Sequence, residues 1–427
     1  MKDRLSAVFN EPLQKFSSLT KIKRYPDRMN NVVTRIQEFN QGRDPALLQL
    51  KYQAMAENAF VFLRGTCHLF YQDLPLEGIF KTSPPVWCCG DLHLQNFGTF
   101  KGDDRLVYFD INDFDESVLA PCTWDVARLL TSIIVAAHTL HISEEDAQQL
   151  CLCFLQTYTA ELKTGKDRTV HGESATGMVK DLLEKLKTRK RKDFLDDRTL
   201  LQTQQRQLKL IEGKTTPATD AEKNAVTELI DRFAQPKPNP EFYRVLDVAH
   251  RIAGTGSLGL DRYVILVEGN GSPNSNYLLD LKASRSSSLQ AYTPSPQPTW
   301  KTQAERITSI QFRFQESSPA LLSPLTLNGK SFVLRELQPT ADRVKLEDGE
   351  GKIKRLTKVI NTMAQVTAWG ELRSSGRQGS AIADDLIAFA ESASEWHNPL
   401  LDYSREYAAQ VERDYQTFCA APQTPSN

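Results

Sequence analysis

Two short apolar runs, each leading into acidic and amide side chains, constrain this chain more than any other feature. The first, Val86–Cys89, stops at Gly90, and a polar loop follows to about Phe97: Cys89-Gly-Asp-Leu-His-Leu-Gln-Asn-Phe97. The second, Leu106–Phe109, opens the segment Leu106-Val-Tyr-Phe-Asp-Ile-Asn-Asp-Phe-Asp-Glu116. Apolar runs this short, bounded by glycine and polar residues, predict strands. Asp91 then comes just after one strand, and Asp110 directly after the other, 14 residues beyond Asn96. A loop carboxylate can accept a hydroxyl proton. An amide oxygen and a second carboxylate beside it can hold Mg²⁺ on nucleotide phosphates, and phosphoryl transfer asks for that set. The competing reading is a polar turn whose acids face water, because single Asp and Asn residues are common in turns. The joint pattern with both flanking strands favours the chemical reading.

Around this centre the periodicity predicts helices near Asn31–Phe39 and over Ala46–Tyr71, Cys122–Leu140, Ser143–Leu162 (Ser143 as N-cap) and Trp300–Gln315, and again from Ile353 to about Cys419. Strands are expected at Tyr263–Glu268, Tyr277–Lys282 and Ser331–Leu337, the first two joined by the hairpin-type connection Gly269–Asn276. Gln235-Pro-Lys-Pro-Asn-Pro240 reads as the best linker. The division expected is therefore 1–240 with the acidic loops, a β-rich 241–340, and C-terminal helices over 341–427 packing back on the first part.

At 427 residues the chain suffices for two or three packed units. Its 52 Lys+Arg nearly cancel 53 Asp+Glu, which excludes a generally basic nucleic-acid binder. The basic run Lys185–Lys192 has no interleaved aromatics and reads as a solvated face. The longest apolar stretch, Val126–Leu140, carries Arg128 and His138, so no membrane span is expected. The start, MKDRLSAVFNEP, has no apolar core of a secretory signal. Seven scattered cysteines without a C-x-x-C fit reduced thiols in a cytoplasmic protein and argue against zinc.

A second constellation is Gly254-Thr-Gly-Ser-Leu-Gly259. A dinucleotide fold needs a helix directly after such glycines, and here a β-rich stretch follows. A strand–turn–strand loop over phosphates fits better, with Gly254, Gly256, Ser257 and Gly259 letting backbone N–H groups approach. Lys282 ends the following strand pair, and Glu305 in the next helix is its candidate partner. A glycine-rich hairpin and a snorkelling lysine are the plain alternatives.

The spacing of the acidic loops resembles that of protein kinases, and more closely that of aminoglycoside and choline phosphotransferases, whose pattern is G-D-x-H-x-x-N followed by an apolar strand ending in Asp. The resemblance implies that Asp91 is the catalytic Asp and that Asn96 and Asp110 are metal ligands, with Asp113 in reserve. It makes Asp125, in Trp124-Asp-Val-Ala-Arg-Leu129, a brace for the loop, the alternative being a simple helix-start residue. His93 is expected to brace the loop or to be a turn residue. Lys282 resembles the kinase strand lysine. In ordinary kinases the glycine loop and lysine come first, and here they follow the acidic loops. The fold class expected is therefore α+β, a protein-kinase-like two-lobe fold, circularly permuted, binding ATP and Mg²⁺ and acting on a small-molecule or protein hydroxyl. Nucleotidyl (AMP) transfer and non-catalytic nucleotide binding are the alternatives.

Lys51-Tyr-x-x-Met55, Phe60-Val-Phe-Leu-Arg-Gly65, Gly90–Gly98, Phe109–Glu116, Trp124-Asp125 and Gly254–Tyr263 also resemble an uncharacterised bacterial family, domain of unknown function 2252. The likeness runs from about Ala46 to Thr417 and is weakest over Gly165–Pro240. Arg64, within the Phe-Leu-Arg-Gly piece, is a candidate for a phosphate, for the acidic loop, or for a buried ion pair.

Overall fold

Asp44 takes the Leu47 N–H on its side chain, and Pro45 starts a helix that runs to Met55. This computed structural model describes residues 31–421 except 171, 340 and 341. The first 30 residues, assigned above to the first part, lie outside the described residues, as does the end of the chain.

The helix expected over Ala46–Tyr71 is instead three: Pro45–Met55, Ala59–Gly65 and Cys67–Asp73. Asn58 caps the second by accepting the Val61 N–H. Gly65 lies so close to Met55 that a Cβ there would meet the Met55 side chain at 2.5 Å. Packing thus folds back a segment whose apolar periodicity reads as continuous.

The helical body is built around Thr123–Ala136, which is buried along nearly its whole length. It lies against Glu144–Lys163 and the long C-terminal helix Ala393–Ala420, while Ile353–Arg373 packs on Glu144–Lys163. Ser143 caps its helix as expected, accepting from Asp146 N–H at 3.0 Å. Two antiparallel strand pairs sit at the edge of this body and carry the acidic segments. Pro85–Cys88 pairs with Val118–Pro121, and Phe97–Lys101 pairs with Val107–Ile111.

Thr199–Gln202 and Gln205–Leu208 form a further antiparallel pair, and the other six strands form one antiparallel sheet, in the order Ser323–Leu327, Lys330–Glu336, Tyr277–Ala283, Arg262–Val267, Val245–Arg251, Thr215–Pro217. Lys282 is central in it, opposite Arg262 on one side and Val333 on the other. Gln303–Phe314 packs against the first two strands, and Asp220–Ala234 against Val245–Arg251. Thr215–Pro217 and Asp220–Ala234 precede the Pro-rich piece, which therefore runs within the β-rich unit. A second apolar core lies between this sheet and the Asp220–Ala234 helix. The fold is α+β with antiparallel sheets throughout. No described helix is long and apolar enough to cross a membrane. All seven cysteines are free.

Candidate active site

The acidic loop is shaped from behind. Asp125, buried at the start of Thr123–Ala136, accepts the N–H groups of Cys89 at 2.7 Å and Gly90 at 3.0 Å. Burial pushes its carboxyl up to about 6, against the pull of those two bonds. Gly90 has φ +85°, and a Cβ there would lie 2.2 Å from the Glu116 carbonyl oxygen, so only glycine fits this turn. His93 is buried, and its Nδ1 accepts the Gln95 N–H at 3.1 Å. Burial, aided by Arg64 and Arg128, holds its pKa well below the usual histidine value, consistent with a neutral ring that accepts. Asn96 donates from Nδ2 to the carbonyls of Asp91 and Asp113, at 3.2 and 3.1 Å, which ties the two acidic segments together and leaves its amide oxygen free of that task.

Asp91 Oδ1 receives Arg128 Nε at 3.0 Å and Nη2 at 2.7 Å. Arg128 is wholly buried and also donates to the Leu63 carbonyl. Burial works against its charge, and the Asp91 carboxylate outweighs that and holds its pKa above the usual guanidinium value.

On the facing wall, Lys282 Nζ forms an ion pair with Asp115 and lies 3.4 Å from Asp113 Oδ2, across 169 residues of sequence. Burial would raise the Asp113 carboxyl, and Lys282 with Arg335 overrides it and holds it low. Burial and the neighbouring Asp113 charge push Asp115 up. The glycine loop is fixed by its own carbonyls. Arg43 Nη1 donates to Gly256 O and Leu258 O, both at 2.7 Å, and Lys51 Nζ reaches Gly256 O at 3.4 Å and Asn40 Oδ1 at 2.9 Å. Gly254 and Gly259 take φ of +82° and +88°.

These parts enclose one cavity of about 320 Å³, lined among others by Asp91, His93, Asn96, Asp113, Lys282, Arg64, Gly254, Gly256 and Ser257. Gly259 shapes the loop from beside Arg43 without lining the cavity. Arg64 donates to Gln95 Oε1 at 2.6 Å, while its buried Nε has no hydrogen-bond partner among the described residues.

Two expectations change. Asp110 does not line the cavity: it takes the Ile111 N–H at 2.7 Å, and burial, only partly offset by Arg373, raises it to about 7. Asp113, two residues beyond the end of the strand Val107–Ile111, lines the cavity instead, while Asp110 lies within the strand, near Arg373 of the helix Ile353–Arg373. Glu305 does not reach Lys282. It takes the Lys301 N–H at 2.6 Å and stays at its own helix start, while Asp115 supplies the partner of Lys282. No site role followed from the sequence for Arg43, Lys51, Asp115, Glu116 or Arg128. Lys51 and Arg128 stand in helical patterns where a cation reads as solvated, and only tertiary packing turns them inward.

Fold and cavity together define an α+β protein with a polar cleft, in which a braced acidic loop faces a sheet lysine and a glycine loop. The chain belongs to a bacterial family, as the resemblance indicated: residues 43–421 match the family described as "Uncharacterized protein conserved in bacteria (DUF2252)". No curated protein and no solved structure matches it.

Proposed function

We propose that this protein is an ATP- and Mg²⁺-dependent phosphotransferase acting on a hydroxyl of a small molecule or a protein, with kinase-like parts in permuted order. The observation that carries the reading is the meeting of Asp91, Asn96, Asp113, Lys282 and the Gly254–Ser257 loop on one cavity. Among the described residues no three His, Cys, Asp or Glu side chains form a ready metal cage. Mg²⁺ at a nucleotide site does not need one, since it is held by one or two carboxylates together with phosphate oxygens and water. The hard oxygens present, from Asn96, Asp113 and Asp115, suit it. Bound there, Mg²⁺ supplies charge neutralisation to the phosphates.

The chain's own residues do the rest. Lys282 offers its ammonium to the phosphates, and the glycine loop offers backbone N–H groups without side chains in the way. Asp91, with Oδ1 held by Arg128, keeps Oδ2 for the acceptor hydroxyl. Asp91 serves first to orient the hydroxyl and takes its proton late. That suffices for a loose phosphoryl-transfer transition state. Asp125 and His93 hold the loop in that pose.

Calorimetry of ATP binding with and without Mg²⁺ tests the reading, followed by mass spectrometry of whatever is modified. A gain of one phosphate is expected. A gain of AMP would assign nucleotidyl transfer to the same cleft, and no nucleotide binding at all would remove the proposal.

A further inference from the structure

A second cavity of about 750 Å³ adjoins the first, and Arg64, Gly254, Thr255 and Arg343 line both. Its charge is out of balance. Asp280, fully buried, is shared by Arg262, Arg251 and Arg335, with the closest oxygen of each pair at 2.6, 2.9 and 3.7 Å. Arg251 Nη1 is near enough to Asp280 for charge pairing but is not aligned for a hydrogen bond. Arg343 has no carboxylate within ion-pair distance among the described residues, and Lys345 adds a further exposed cation. Of the acids that line it, Asp342 is paired with Arg189, and Glu347 and Asp348 stand exposed as Lys345 does, so the excess inside the cavity is of guanidinium groups.

The donors are unsatisfied as well. Among the described residues, Arg64 Nε and Gln338 Nε2 are buried without an acceptor, against one orphaned acceptor lining this cavity, Asn112 Oδ1. Buried donors left unpaired are costly, and several guanidinium groups around one void repel each other. Burial and the neighbouring arginines bring Arg343 down to about 10. An anion with several oxygens would answer both deficits, since guanidinium groups match phosphate and carboxylate geometry.

We infer that this arginine-lined groove is an anion subsite beside the transfer cavity and binds a phosphate- or carboxylate-bearing molecule separate from the nucleotide. Resting on the function proposed above, that molecule is the acceptor, its anionic end held by Arg343 and its neighbours and its hydroxyl reaching past Arg64 to Asp91.

The test titrates inorganic phosphate into the full chain by calorimetry, without nucleotide or Mg²⁺, and repeats it with ATP and Mg²⁺ at saturation. The parent should bind phosphate in both conditions, more weakly as salt rises. Arg343→Gln should weaken binding about tenfold or more, the scale of losing a charge-assisted pair. Lys345→Gln, at an exposed position that does not burden folding, should weaken it about twofold and leave ATP binding unchanged. No phosphate binding by the parent, or unchanged binding in both variants, would overturn the subsite. Phosphate displaced one-for-one by ATP would assign the groove to the triphosphate and overturn the inference while leaving the proposed function intact. Phosphate binding in a chain that binds no ATP would sink the proposed function and leave the anion subsite standing.

Discussion

Asp110→Asn separates a buried neutral carboxyl from a metal ligand. Asp110 is 8% exposed, takes one backbone N–H, and has its pKa raised from 3.8 to about 7 by burial, with only Arg373 and that N–H opposing. A carboxyl whose folded pKa lies above its unfolded value favours the fold fully below the unfolded value. That contribution is lost as pH rises through the folded one. The shift corresponds to roughly 4 kcal/mol, lost between about pH 4 and pH 8. The Asn side chain keeps the acceptor for Ile111 N–H and does not ionise. The variant should therefore match the parent within about 1 kcal/mol near pH 4 and exceed it in stability at pH 8. Urea denaturation of both proteins at the two pH values reads the difference directly. A variant that is less stable than the parent at pH 8, or whose stability falls with pH as steeply, would refute the account of Asp110 as a buried neutral group. Calorimetry on the same proteins adds a functional arm: Mg²⁺-dependent ATP affinity should not change, and its loss would return the metal role to Asp110.

Asp113→Asn should weaken ATP binding about tenfold or more in Mg²⁺ and far less without it, as calorimetry would show; equal losses in both conditions would assign Asp113 a purely structural part. Gly259→Ala puts a Cβ 2.7 Å from Arg43 Cβ at a φ of +88°, so thermal unfolding should show a loss of about 1–3 kcal/mol, and wild-type stability would mean that the loop relaxes freely. Asp125→Ala strands the N–H groups of Cys89 and Gly90, and chemical denaturation at pH 7 should register a loss of about 2–5 kcal/mol; a neutral outcome would show that the loop does not depend on this brace.

Local pattern alone determined the strand–loop–strand character of Val86–Phe109, the Ser143 cap, the Tyr277–Ala283 strand bearing Lys282, and the glycine loop before Arg262–Val267. Each depends on a few consecutive residues, whose alternation, capping chemistry or φ requirement is decided within a turn or a strand. The choice of Asp113 over Asp110 did not follow from spacing, because it depends on how the helix Ile353–Arg373 packs on Val107–Ile111 and brings Arg373 near Asp110. The same holds for the partner of Lys282. Glu305 and Asp115 are both acids within reach by sequence logic, and only the docking of the sheet on the acidic segment selects Asp115. Arg128, Lys51 and Arg43 read as ordinary cations until long-range packing buries them against Asp91 and the glycine-loop carbonyls. Short-range sterics and hydrogen bonding are written residue by residue, whereas charge pairing and enclosure belong to neighbours brought together from distant parts of the chain, so the tertiary structure alone decided them.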